Sequence, residues 1–235
     1  MKKLIFAALV MISAYQVGFA QGFVSNSGYY CEYYSTGNQC LIVGDANYYN
    51  NNTVVNIPGV VQNDDDGGMS PVRTVTQLGN GATILNNQTG LFGVSTPSSV
   101  QTIYSYALSS LQNLTTVVIN GSPCIESNAF SNNPNLTSVT YASGSGDIGD
   151  SAFEGCVKLR NVGLKDGVTK IGKRAFANCK SLRTLTIPKT VVSIAPDAFV
   201  GSGIKHVVMQ RGGAPIQSFP KRVYVTVKQL PYPKK

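Results

Sequence analysis

A period of 23 residues, repeated through the second half of the chain, constrains the fold more than any other feature. Ala-Phe pairs stand at Ala129-Phe130, Ala152-Phe153, Ala175-Phe176 and Ala198-Phe199, each 23 residues after the last, and Ala107-Leu108 lies 22 residues before the first. Ile103, Ile125, Ile148, Ile171 and Ile194 keep the same step, as do Leu114, Leu136, Leu159 and Leu182, with Ile204 in the next copy. A unit this short cannot bury its own apolar side. Stacked units can, because each lays its side chains over those of the next, so the period specifies a solenoid.

The strand of each coil can be read from residues 182–188. Leu182, Leu185 and Ile187 follow a strand-like alternation that turns Thr184 and Thr186 the other way. One such strand per coil builds a parallel sheet with rungs about 4.8 Å apart, and five rungs span roughly 20 Å. The Ala-Phe stretch has to turn the chain back and fill the far wall. Pro97 and Pro188 follow strands, where a missing amide donor is tolerated.

Over residues 97–209 the pattern I-G-x-x-A-F-x-x-C-x-x-L-x-x-[LV]-x-[IL]-P-x-x-V-x-x-I resembles the BspA-like leucine-rich-repeat family of bacterial surface and secreted proteins. The resemblance implies a mainly β leucine-rich-repeat solenoid, a right-handed superhelix of repeats about 23 residues long. Its parallel β-sheet would occupy one face, and short turns or 3-10 segments the other. It also implies display outside the cell, adhesion to host proteins and no catalysis. Some copies depart from the pattern: Asn133 and Ser202 stand at the cysteine position, and the third copy shortens its strand edge to NVGLKDG.

The ends read differently from the middle. Residues 1–20 have the form of a signal peptide, with Lys2 and Lys3, an apolar stretch from Leu4 to Ala14, and small residues at Gly18 and Ala20. Cleavage is expected after Ala20, which would make the protein secreted, cell-surface or periplasmic, and no later run is long and apolar enough to span a membrane. Residues 21–96 read as an N-terminal cap, hairpin-like around YYCEYYSTGNQCLIV, followed by a degenerate repeat with an irregular insertion at 76–93. Residues 97–210 are the repeats, and 211–235 hold a capping strand, RVYVTV, and a tail. Such unlike end units cover the open edges of a solenoid.

Five cysteines, Cys31, Cys40, Cys124, Cys156 and Cys179, leave at least one thiol unpaired within the chain. Cys31 and Cys40 flank a short turn and could form a disulfide across the hairpin. Cys156 and Cys179 align on adjacent rungs, where a ladder of buried thiols serving as small apolar residues fits better than a bridge. Cys124 falls in an outward phase and could join two copies of the chain.

Charge is segregated along the chain. Residues 21–150 hold one basic residue, Arg73, against eight acidic ones, while residues 151–235 hold sixteen basic residues against three acidic. Arg160, Arg183 and Lys205 share one repeat position and would form a basic column beside the strand face. Two readings fit it: an anion site, or a solvated edge whose long side chains fan into water. The outward strand positions Ser138, Thr140, Asn161, Thr184, Thr186 and His206 form a polar face suited both to binding and to solubility.

Chemistry beyond binding has little material to work with. His206 is the one histidine, and no G-x-S-x-G, H-E-x-x-H or phosphate loop occurs. Asp64, Asp65 and Asp66 lack the spacing of a calcium loop, so no metal and no cofactor is expected. The expected partner is a host extracellular protein or glycan, with a self-assembling envelope component as the alternative. Nucleic acid is a poor candidate, because no stacking aromatics interleave with the basic column.

Overall fold

The computed structural model describes residues 21–24, 29–33, 39–45, 53–58, 60–61, 73–79, 91–144, 146–210 and 224–228, with side chains for 56–58, 60, 74–79, 91–144, 146–210 and 224–226. The expected signal peptide and the Asp64–Asp66 segment lie outside the described residues. So does the side-chain pairing of Cys31 with Cys40.

The chain opens with β1 (Gln21–Val24), β2 (Tyr29–Tyr33) and β3 (Gln39–Asp45), followed by β4 (Thr53–Asn56), β5 (Val60–Val61) and β6 (Arg73–Leu78). Each coil then carries a longer strand and a shorter one. These are β7 (Leu91–Thr96) and β8 (Thr102–Ile103), then β9 (Thr116–Ile119) and β10 (Cys124–Ile125), then β11 (Ser138–Tyr141) with a single bridging residue at Ile148. The last coils hold β12 (Asn161–Gly163) and β13 (Lys170–Ile171), β14 (Thr184–Ile187) and β15 (Ser193–Ile194), β16 (His206–Gln210) and β17 (Tyr224–Lys228).

The chain forms a parallel β-solenoid with three hydrogen-bonded walls. The longer strands build the first: β4, β7, β9, β11 and β12 run side by side in parallel, and β14, β16 and β17 continue the wall as a separate three-stranded sheet. The second wall stacks β6, β8 and β10, and passes through bridges from Ile125 to Ile148 to Ile171 to reach β13 and β15. The third wall is the Ala-Phe stretch. There the Phe130, Phe153 and Phe176 amides donate to the carbonyls of Ala152, Ala175 and Ala198 on the following coil, each at 2.8 Å. The sequence implied a sheet on one face and turns on the other; the isoleucine ladder adds a second parallel β-wall. Two-residue strands carry no alternation by which the sequence could announce them.

The Ala-Phe turns need left-handed backbone at fixed phase. Ser110, Asn132, Gly155, Asn178 and Gly201 have φ between 56° and 75°. Gly and Asn fill most of this position because they enter that region at the lowest steric cost.

The walls enclose one core. Phe130, Phe153, Phe176 and Phe199 are buried and stack ring on ring, with centroids 5.1, 5.3 and 5.8 Å apart and planes within 6° of parallel. Leu114, Leu136, Leu159 and Leu182 and the five isoleucines form parallel columns beside them. These are the columns that the 23-residue period specifies.

The cysteine position does more than fill space. Cys156 and Cys179 are buried free thiols, and each donates at 3.1 Å to the phenylalanine carbonyl one coil back, Phe130 and Phe153 respectively. Burial pushes the Cys156 thiol up to about 12 and raises that of Cys179 further, so both stay protonated. Asn133 performs the same task with an amide, donating to Leu108 O at 2.8 Å and Phe130 O at 3.0 Å while accepting from Leu111 N–H at 2.7 Å.

At the N-terminal end β2 and β3 pair antiparallel, as the hairpin pattern implies, and β3 then runs parallel to β6. In that register Cys31 faces Ile42 and Cys40 faces Tyr33. The irregular insertion expected at 76–93 is shorter than that: residues 76–78 belong to β6, and residues 91–93 begin β7, a full member of the first wall. The Leu91–Thr96 strand interleaves Gly93 and paired polar residues with its apolar positions, which hid its period.

Candidate functional site

The outer face of the first wall is set by the strand alternation. In β9 and β14 the residues Val117, Ile119, Leu185 and Ile187 point inward and are buried, which leaves Thr116, Val118, Thr184 and Thr186 outside. Register then sorts the outward residues into two columns. One runs through Thr116, Ser138 and Asn161, and on through Thr184, His206 and Tyr224. The other runs through Val118, Thr140 and Gly163, and on through Thr186, Val208 and Thr226. Thr140, Asn161, Thr184, Thr186 and His206 are exposed as expected, and Ser138 is half-buried.

Arg160, Arg183 and Lys205 flank the first column, each one residue before a strand, and all three are exposed. None forms an ion pair among the described residues. By contrast Arg174 pairs with Glu154, and Lys189 lies 3.5 Å from Asp166. The Arg174 side chain, hydrogen-bonded to Glu154, holds that carboxyl below the usual range against a smaller opposing effect of partial burial. The basic column is therefore without ion-pair compensation among the described residues.

Two of its three members line one open surface recess. Arg160, Asn161, Ser181, Arg183 and Thr184 line a recess of about 450 Å³ between β12 and β14. Its cause is a gap in the first wall. Arg160 and Asn161 donate their amides to Thr137 O at 2.9 and 3.2 Å, and Lys205 and His206 donate theirs to Arg183 O at 2.9 and 3.1 Å. No strand pairing joins β12 to β14, and the matching bonds from Arg183 and Thr184 to the Arg160 carbonyl are absent. Arg183 is partly anchored at the rim, its Nη1 donating to Gly203 O at 3.2 Å.

The other expected residues stand apart from this recess. Ser138 and Thr140 lie one rung before it, and Thr186 lies further along β14. Lys205 and His206 sit one rung after it, where His206 Nε2 is 2.7 Å from Thr226 Oγ1. His206 is exposed while Cys179 is buried and bonded to Phe153 O, so they form no nucleophile–base pair. Three residues of this surface escaped the sequence reading: Ser181 in the recess, Gly163 at the end of β12, and Tyr224, 78% exposed at the end of the first column. Gly163 left a trace in NVGLKDG, where it interrupts the β-forming residues of the other copies.

Among the described residues no helix is long and apolar enough to cross a membrane. The sequence profile of the BspA type leucine rich repeat region matches residues 81–205 in six copies. The chain belongs to the BspA-type leucine-rich-repeat family. Solved structures of similar fold include the pneumococcal vaccine antigen PcpA, at 20% identity and a TM-score of 0.64, covering 83% of this chain and 51% of that one. A leucine-rich cell surface protein of Faecalibacterium prausnitzii follows at 22% identity and a TM-score of 0.53, covering 81% and 55% of the two chains. The leucine-rich repeat protein of T. pallidum has 19% identity and a TM-score of 0.51, covering 85% and 84%. This BspA-type chain thus spans about half the length of the first two, and the likeness is one of fold. No curated protein sequence matches it.

Proposed function

We propose that this BspA-type protein is an exported, non-catalytic binding module that presents the outer face of β12, β14, β16 and β17 to a host extracellular glycan or protein. The carrying observation is the exposed column of Arg160, Arg183 and Lys205, unpaired among the described residues, beside a face of hydroxyl and amide side chains. A charged face without internal ion pairs steers and holds an oppositely charged ligand more readily than it stabilises its own fold. The family supports a scaffold role, and the residue 1–20 segment supports export.

The test is capture from host extracellular matrix and mucus on immobilised residues 21–235, at low and high salt. Saturable capture that weakens as salt rises is expected. Capture that is absent at every salt concentration would refute the reading.

A second reading, assembly in the bacterial envelope, has one specific observation in its favour. Cys124 is an exposed free thiol in a molecule whose other described thiols are buried. A reducible dimer, lost in Cys124→Ser, would support assembly; a monomer under both oxidising and reducing conditions would rule out this thiol-linked form.

A further inference from the structure

The gap in the first wall is built by residue choices that the fold itself does not require. β12 is three residues long and ends at Gly163, where the equivalent strands β11 and β14 have four residues. Gly163 does not adopt the left-handed conformation that demands glycine. A Cβ there would meet only Val139 O, at 3.9 Å, which is ordinary contact. Neither backbone geometry nor crowding therefore calls for glycine. A strand glycine is found at bulges, at tight bends and where a ligand or another backbone approaches closely, and the last of these fits a strand end beside a recess.

The two arginines make the same point through charge. Both line the same recess, and among the described residues no carboxylate neutralises either one. None of the five residues lining the recess is acidic. Arginine presents a planar fork of donors that matches an oxyanion, and the bond from Arg183 to Gly203 already restricts one of the two forks. The Arg183 and Thr184 amides, which make no bond to the Arg160 carbonyl, belong to residues that line the same recess.

The lining discriminates between classes of anion. Asn161, Ser181 and Thr184 supply an amide and two hydroxyls, and no apolar side chain lines the recess. Protein interfaces concentrate their affinity in arginines together with buried tryptophan and tyrosine anchors, and no aromatic side chain lines this recess. A saccharide presents hydroxyls that such a lining can pair. Further along the same column Tyr224 offers an exposed flat ring with a polar tip, suited to the apolar face of a sugar.

We propose that the break between β12 and β14 is an oxyanion cleft for a sulfated glycan, in which Arg160 and Arg183 grip sulfate groups while Asn161, Ser181 and Thr184 meet neighbouring sugar hydroxyls. The proposal rests on the reading of the outer face as a binding surface and names the ligand class of that surface.

The test measures binding of heparin, a chemically desulfated heparin, polyglutamate and inorganic sulfate by calorimetry at low salt. Heparin should bind saturably, desulfated heparin and polyglutamate far more weakly, and inorganic sulfate should compete only at much higher concentration. The Arg160→Ala/Arg183→Ala double variant should lose roughly tenfold or more in heparin affinity, the loss expected from two charge-assisted contacts. Arg183→Lys should lose part of this, since the charge stays and the fork goes. Gly163→Thr, which adds an outward side chain at the end of β12, should weaken binding without lowering Tm. Lys189→Ala, which removes a cation paired elsewhere, should bind as the parent does.

Parental heparin affinity in the double variant would overturn the proposal, as would equal binding of desulfated heparin. Polyglutamate binding as tightly as heparin would overturn the glycan assignment in favour of an acidic polypeptide. Capture from matrix that survives in the double variant would sink the cleft and leave the broader binding reading standing, whereas no capture by the parent protein would sink that broader reading.

Discussion

Single side chains at the repeat's junction positions carry unusual weight. Asn133 ties three buried main-chain groups from two coils together. Asn133→Ala leaves Leu111 N–H and the Leu108 and Phe130 carbonyls without that partner, and a loss of about 3 kcal/mol is expected, measurable by urea unfolding. Tyr141 is the opposite case. It occupies an inward strand position, its hydroxyl is buried with no partner among the described residues, and burial raises its pKa far above the usual phenol value. Tyr141→Phe keeps the ring and removes the orphaned hydroxyl, so it should gain about 1 kcal/mol in the same assay. The sequence placed Asn133 in the repeat and revealed neither environment. An Asn in a cysteine slot reads as a lapse until the carbonyls around it are seen, and a Tyr at an apolar phase reads as an ordinary core aromatic.

At the scale of strands and walls, the second wall is locked by acidic side chains as well as by backbone. Asp147 Oδ1 accepts from Thr169 N–H at 2.8 Å, Thr169 Oγ1 at 2.9 Å and Lys170 N–H at 2.9 Å, joining the Ile148 rung to β13. Partial burial pushes the Asp147 carboxyl up, but those three bonds and the Lys170 charge together pull it further down, below the ordinary range. A carboxylate depressed in the folded state contributes stability above its unfolded pKa of about 4, and that contribution fades as pH falls through the folded value. Denaturant midpoints should therefore drop below about pH 4, and the drop should be shallower in Asp147→Asn; an unchanged slope would remove Asp147 from the account. Element by element, the first wall was legible because its strands alternate and recur. The second wall was hidden in two-residue strands. β7 escaped because its glycine and polar residues masked the apolar phase. The gap between β12 and β14 escaped because an absent hydrogen bond has no side-chain signature beyond the glycine at 163.

For the whole molecule, one continuous core under three walls accounts for the repeat, and one interruption in the first wall accounts for the recess. The basic half of the chain supplies both arginines there, so charge segregation along the sequence becomes charge concentration on one part of the surface. The solenoid was readable from its ruler, whereas the recess depends on how two particular rungs fail to meet. Hydrogen exchange at single amides tests that claim most directly, because a ladder amide exchanges slowly and an unpaired one quickly. The Thr184 amide should exchange orders of magnitude faster than those of Asn161 and His206, its equivalents on neighbouring coils, and should slow when heparin is added. Equal protection of all three amides without ligand would mean that β12 and β14 are joined like the other rungs, and that the proposed cleft does not exist.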